Sequence, residues 1–167
     1  VISHPQYEYR SGIGTDIHRL VPERKLILGG IAIPYDLGLQ GHSDGDALLH
    51  AITDAILGAA GQGDIGMMFP DTDPQFKDAD SGELLKHAVW EVSQQKWEIV
   101  NVDLIVHAER PKLGPYRGHI KRHIAELLEI DFANVNIKAK TNEGLDAIGE
   151  GRAIGATAIV MLRRKVK

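Results

Sequence analysis

The chain has 167 residues, 43% hydrophobic and 25% charged, with a formal net charge of -4 and no cysteine. That length suits one domain, residues 1–167, with a core of its own. Disulfides and thiolate metal sites are excluded, so a metal would need His and carboxylate ligands. No apolar run is long enough to span a membrane, and the single basic cluster, Arg163-Arg164-Lys165, argues against nucleic-acid binding. An anionic small substrate stays compatible with the negative charge, because bound cations can supply local positive charge.

In chain order, Tyr7 to Leu20 reads as a first strand, with Gly12 and Gly14 allowing close backbone approach or a bulge. Lys25 to Ile33 reads as a strand or a hairpin broken at Gly29-Gly30. The spacing predicts a first helix from about Asp44 to Gly58, capped by Ser43 with Asp46 completing an acidic capping box. A Gly/Asp/Pro-rich loop follows from Gly61 to Asp78. Ser81 can cap a second helix, whose apolar face is Leu84, Leu85, Ala88, Val89 and Val92. Ile99, Val100, Val102, Leu104 and Val106 form a strand. Pro115 suits the first turn of a third helix, with Ile120, Ile124, Leu127 and Leu128 as its buried stripe. Val135 to Lys140 and Ala156 to Leu162 are further strands. This alternation predicts a small α/β or α+β sheet with helices on one face. Several strands are apolar on both faces, which hints at burial against other subunits.

Asp16 and His18, two apart on a strand, point to one face. His50 would join them from the first helix. An Asp-His-His set suits zinc and leaves a fourth tetrahedral position open. Each residue also has a plain structural role open to it: a strand-end turn for Asp16, partly buried histidines for the others. Asp46 and Asp54 flank His50 by one turn and could orient its imidazole, or simply solvate the helix. His42 and Ser43 lie where free N–H groups meet the positive end of the helix dipole, so a phosphate could dock, although capping alone would explain Ser43.

Gly63-Asp64-Ile65-Gly66 and Phe69-Pro70-Asp71-Thr72-Asp73-Pro74 make an acidic loop suited to ribose hydroxyls or a hydrated metal, or to a solvated turn. In Lys138-Ala139-Lys140-Thr141-Asn142-Glu143-Gly144, Lys140 and Thr141 could hold phosphate oxygens and Glu143 a magnesium ion, unless this is a charged loop. His119 and His123 have i, i+4 helical spacing, but Lys121 and Arg122 disfavour a cation there. His4, His87 and His107 show no ligand partner in the sequence.

Taken together, Asp-x-His, His-Ser-Asp-Gly-Asp-x-x-x-His, Gly-Asp-Ile-Gly, Phe-Pro-Asp-Thr-Asp-Pro and Lys-Ala-x-Thr-x-Glu occur here in one order. From about Tyr9 to Leu162 the chain strongly resembles the 2-C-methyl-D-erythritol 2,4-cyclodiphosphate synthases of the non-mevalonate isoprenoid pathway. The resemblance implies a homotrimer with active sites between subunits, and a metal-dependent cyclising lyase. Its substrate would be 4-diphosphocytidyl-2-C-methyl-D-erythritol 2-phosphate, and its products the cyclic 2,4-diphosphate and CMP. It further implies zinc on Asp16, His18 and His50, and magnesium or manganese on Glu143. His42 would stabilise the transition state and Thr141 the transferring phosphoryl group. His42, Ser43, Asp64, Ile65, Gly66, Phe69, Asp71 and Asp73 would line the methylerythritol side. Ala108, Pro111, Lys112, Leu113 and Gly114, with Ala139, Lys140 and Thr141, would hold the nucleotide.

The family's Gly-Phe-x-Gly-Arg-Gly-Glu run is replaced here by Asp146-Ala147-Ile148-Gly149-Glu150-Gly151-Arg152. Ala147 and Glu150 cannot do the work of the aromatic and arginine that line the family's threefold-axis cavity. That cavity is expected not to bind isoprenoid diphosphates, unless Arg152 reaches inward. The rival functions are a zinc phosphoesterase on a related site and a non-catalytic trimer that binds cytidine nucleotides. No secretory signal pattern is visible. The sequence opens at Val1 rather than Met, which leaves room for an upstream targeting segment. The expected location is the bacterial cytoplasm, with the plastid stroma as the alternative.

Overall fold

The computed structural model describes residues 6–70, 72–76 and 79–166. Its elements are β1 (Tyr7–Pro22), β2 (Leu26–Leu28), β3 (Ile31–Ile33), β4 (Leu37–Leu39), α1 (Ala47–Ala60), α2 (Ile65–Met68), α3 (Ser81–Gln94), β5 (Glu98–His107), α4 (Arg117–Leu127), β6 (Val135–Lys140), α5 (Asp146–Gly149) and β7 (Ala153–Lys165). Five strands form one sheet in the order β4-β1-β7-β5-β6, and β2 with β3 forms a separate hairpin. The long strands β1 and β7 pair antiparallel, with Ile13 opposite Ile159 and Asp16 opposite Ala156. β5 and β6 pair parallel, as their α4 crossover requires.

Side-chain alternation sorts the sheet into two faces. Leu20, Val102, Leu104, Val106, Ile154, Ala156, Ala158, Val160 and Leu162 are buried beneath the helices. The opposite face leaves Tyr9, Ile13, Ile17, Ile159 and Met161 exposed, Ile13 to 66%. Helices thus cover one face, as the pattern predicts.

α1 is the central element, and Leu48, Leu49, Ile52, Ile56 and Leu57 are all fully buried. Side chains of this size each contribute about 1.5–3 kcal/mol when removed from water. The helix lies directly against β1 because Gly12 and Gly14 carry no Cβ. One added at Gly12 would sit 1.9 Å from the Ala55 carbonyl oxygen, and one at Gly14 2.0 Å from that of Ala51. This close approach sets His50, the neighbour of Ala51, over the strand that carries Asp16 and His18.

Several boundaries differ from the sequence reading. α1 begins at Ala47, and its N-cap is Asp46, not Ser43. Gly45 has φ 76°, which turns the chain out of a helical path just before that cap. α1 runs to Ala60 rather than Gly58, and its C-cap is Gly61, whose left-handed φ of 74° suits a glycine. α3 is capped by Asp80, whose side chain accepts from the Gly82 N–H at 2.7 Å, and Ser81 is already helical. α4 starts at Arg117, after Pro115. β7 extends well beyond Ala156 to Leu162 at both ends because β1 offers a partner along its length. The loop expected from Gly61 to Asp78 contains α2, started by the Asp64 side chain accepting from the Met67 N–H.

Candidate active site

β1 delivers Asp16 and His18 to its helix-covered face, and α1 delivers His50 from the other side. Asp16 Oδ2 lies 2.8 Å from His18 Nε2 and 2.9 Å from His50 Nδ1. The two ring nitrogens are 3.2 Å apart. Tetrahedral ligands at about 2.0–2.1 Å from a zinc-sized ion stand roughly 3.3 Å from one another. Outward shifts of a few tenths of an ångström would therefore admit an ion. Among the described residues this is the one group of His and carboxylate side chains close enough to hold a metal.

Electrostatics agree with that role. Burial by itself would raise the Asp16 carboxyl, but hydrogen bonds and charge from His18 and His50 hold it well below the usual carboxylate range. The Asp16 hydrogen bond raises His18, with burial partly opposing it. The cluster is thus an anionic carboxylate gripping two imidazoles, a set of N and O donors suited to a divalent cation.

His18 and His50 open onto a cavity of about 370 Å³. His42, Ser43, Ile65, Gly66 and Phe69, all singled out from the sequence, line it, together with Pro70, Phe76 and Leu84. Asp64 is instead engaged as the α2 cap. Asp73 is bonded to Gln75 and lies off the cavity wall. Asp71 and His4 lie outside the described residues. Arg24 braces the segment that carries His42 and Ser43 by donating to the Ser43 and Gly41 carbonyl oxygens at 2.8 and 3.3 Å.

A second cavity, of about 320 Å³, is lined by Ala108, Pro111, Lys112, Leu113, Gly114, Ala139, Lys140 and Thr141, with Pro115. These eight predicted nucleotide-side residues therefore do converge. The peptide before Pro111 is cis. Beside this cavity, Thr141 Oγ1 donates to Glu143 Oε1 at 3.0 Å. Glu143 is exposed and stands apart from the Asp16 cluster. The two cavities share no lining residue.

Of the two readings open for the carboxylates that flank His50, neither orienting its imidazole nor plain solvation describes the bonds they make. Asp54 accepts from the Ile65 N–H at 2.7 Å, tying α2 to α1. Asp46 is fully buried and accepts from the N–H groups of Gly29, Gly30, Leu48 and Leu49. The partners of His50 Nε2 are hydroxyls, Ser81 Oγ at 2.9 Å and Ser43 Oγ at 3.1 Å. Sequence reasoning missed the Ser81 contact. The only signal was a serine beside a helix start, which is common for local reasons. His119 and His123 take no part, and His123 packs against Gly30.

Known proteins resemble this chain over nearly its whole length. The 2-C-methyl-D-erythritol 2,4-cyclodiphosphate synthase of Bordetella petrii is 55% identical over 156 residues, covering 93% of this chain and 96% of that protein. The protein of the same name from Neisseria gonorrhoeae is 56% identical over 155 residues, covering 93% and 97%. Among solved structures, the CDP-bound form of a 2C-methyl-D-erythritol-2,4-cyclodiphosphate synthase superposes with a TM-score of 0.85 at 40% identity, over 92% of this chain and 99% of that one. The bifunctional IspDF from Campylobacter jejuni gives 0.92 at 43% identity, with 96% of this chain matching 43% of that longer one. The pattern of the YgbB family matches residues 9–163, and with these identities over nearly the whole length, the chain belongs to the YgbB family.

Proposed function

We propose that this chain converts 4-diphosphocytidyl-2-C-methyl-D-erythritol 2-phosphate to 2-C-methyl-D-erythritol 2,4-cyclodiphosphate and CMP, as a metal-dependent cyclising lyase of isoprenoid biosynthesis. The observation that carries this reading is the convergence of Asp16, His18 and His50 within 3.2 Å at the mouth of a cavity, in a family member whose relatives bear that synthase name.

In this reading the substrate's 2-phosphate attacks its own β-phosphorus and CMP leaves. A phosphate is already ionised, so no side chain has to serve as nucleophile or strong base. The chain supplies position, and oriented intramolecular reactions gain about 7–11 kcal/mol that way. Zinc at Asp16, His18 and His50, with magnesium or manganese at Glu143, supplies Lewis-acid polarisation and charge neutralisation when bound. His42 and Ser43 meet the phosphate side from the wall of the larger cavity. Ile65 and Phe69 give that cavity an apolar wall. The segment from Ala108 to Gly114 encloses the cytosine, and Lys140 with Thr141 meets the diphosphate.

The active unit is a homotrimer. Two observations favour assembly: the two half-sites share no residue within one chain, and the sheet face opposite the helices is exposed and apolar. A neighbouring copy would cover that face and bring its nucleotide cavity to the metal cavity.

Phosphorus NMR of the products tests the activity. Cyclic diphosphate and CMP are expected from the wild type, and neither from His50→Ala, which should also lose its bound zinc. Inorganic phosphate or open-chain products would indicate a phosphoesterase instead. Full turnover by a zinc-free protein would refute the assignment.

A further inference from the structure

His50 has a partner at each ring nitrogen. Nδ1 faces Asp16 and His18, while Nε2 faces the two serine hydroxyls. The serines are not equivalent. Ser81 is 1% exposed and lies off the cavity wall. Its Oγ–H donates to Asp44 Oδ1 at 2.5 Å, and its backbone N–H donates to Asp44 Oδ2 at 3.1 Å. With that proton committed, the Ser81 lone pairs are what His50 meets, and Nε2–H donates to them. Nδ1 is then the nitrogen whose lone pair a metal ion in the ligand cluster would meet, once its proton, shared with Asp16 at 2.9 Å, is released. Asp44 is itself held, because the Asp46 N–H donates to its Oδ1 at 3.1 Å.

Ser43 lines the cavity, and its Oγ already accepts from the Gly45 N–H at 3.2 Å. Its Oγ also stands 3.4 Å from Ser81 Oγ, and with the Ser81 proton on Asp44 the hydrogen that joins the two hydroxyls is that of Ser43. Ser81 is therefore the buried hydroxyl that accepts from the imidazole and is fixed by Asp44, whereas Ser43 borders the cavity.

We propose that Ser81, anchored by Asp44, is a positioning residue for the metal ligand His50, setting its tautomer and ring orientation through a carboxylate–hydroxyl–imidazole chain. The inference rests on the proposed metal site and deepens it. Histidine ligands are commonly held this way by a partner on the other ring nitrogen, and losing that partner typically costs about 10- to 100-fold in metal affinity.

The test is competition for zinc against a chelator of known affinity, on the full chain. Ser81→Ala should weaken zinc binding about 10- to 100-fold. Ser81→Thr, which keeps the hydroxyl, should restore most of the loss. Asp44→Asn should weaken binding in the same direction, and combining it with Ser81→Ala should add little, because both act along one chain. In the zinc-loaded wild type, the His50 Nε2–H should be visible by NMR and slow to exchange, and it should exchange quickly in Ser81→Ala. Circular dichroism confirms that each variant is folded. Should Ser81→Ala not fold, Asp44→Asn and the His50 exchange rate in the wild type carry the test. Wild-type zinc affinity in a folded Ser81→Ala, or loss without rescue by the hydroxyl-bearing variant, would overturn the proposal. A wild-type protein that takes up no zinc would overturn the metal reading and this proposal together.

Discussion

Asp16 is shared by two imidazoles through one oxygen atom, so protons and a metal ion compete for the same corner of the molecule. His18 is raised above its ordinary value by the Asp16 hydrogen bond. In the metal-free protein its pairing with Asp16 therefore stabilises the fold fully below the unfolded-state value, about 6.5, and that contribution is lost as pH rises through the higher folded-state value. Zinc requires the neutral imidazole, so its binding runs the other way. The rise in melting temperature on adding zinc should be small near pH 5.5 and grow towards about pH 8. Differential scanning calorimetry with and without zinc at several pH values measures it, and a rise that does not change with pH would contradict the assignment of His18 as a ligand.

At the scale of elements, the β1–α1 contact matters most. Gly14→Ala would drive a methyl to within 2.0 Å of the Ala51 carbonyl oxygen, and backbone there cannot yield without lifting α1. Overpacking of this kind costs about 1–3 kcal/mol. Because His50 adjoins Ala51, the lift should also lower zinc content, read together with urea unfolding. Gly118→Ala in α4 is the control: nothing lies within 4 Å of its added methyl, and stability should hold or rise by about 0.5–1 kcal/mol.

The same elements show what local pattern could and could not reveal. The strand that carries Asp16 and His18 was legible because alternation is a property of neighbours in sequence. The buried stripe of Ile120, Ile124, Leu127 and Leu128 was legible for the same reason, and all four are buried. The α1 cap was not, since Ser43 and Asp46 are both good cap residues. What decides between them is distant: the N–H groups of Gly29 and Gly30, in the β2–β3 turn, need an acceptor, and Asp46 provides it. Losing that acceptor in Asp46→Ala should cost at least about 2.5 kcal/mol, a cap of roughly 0.5–2 kcal/mol plus two orphaned donors at about 1–3 kcal/mol each. The chemical denaturation midpoint reports it. The link from Ser81 to His50 spans 31 residues, and no local periodicity encodes it.

For the whole molecule, assembly and regulation follow from the open sheet face. Ile13 and Ile159 lie directly opposite one another there, 66% and 49% exposed. Burying a charge in such a face is costly, so Ile13→Asp should dissociate the proposed trimer. Sedimentation should then show monomers, and turnover should fall with them even though the metal ligands are untouched. Arg152, the cation in the segment that departs from the family pattern, is engaged by Glu150, Nε to Oε2 at 2.6 Å. Titration calorimetry with farnesyl diphosphate should accordingly show no tight binding. A submicromolar stoichiometric site would contradict that.

β1 presents Asp16 and His18 on one side and Ile13 and Ile17 on the other. A slip of one residue in its pairing with β7 would turn the carboxylate and imidazole outward and the isoleucines inward. The slipped chain would lose its candidate metal site and its exposed apolar surface in a single error. In the proposed metal-bound trimer, metal loading and oligomerisation would therefore proofread the same register, and a mispaired subunit would fail both checks.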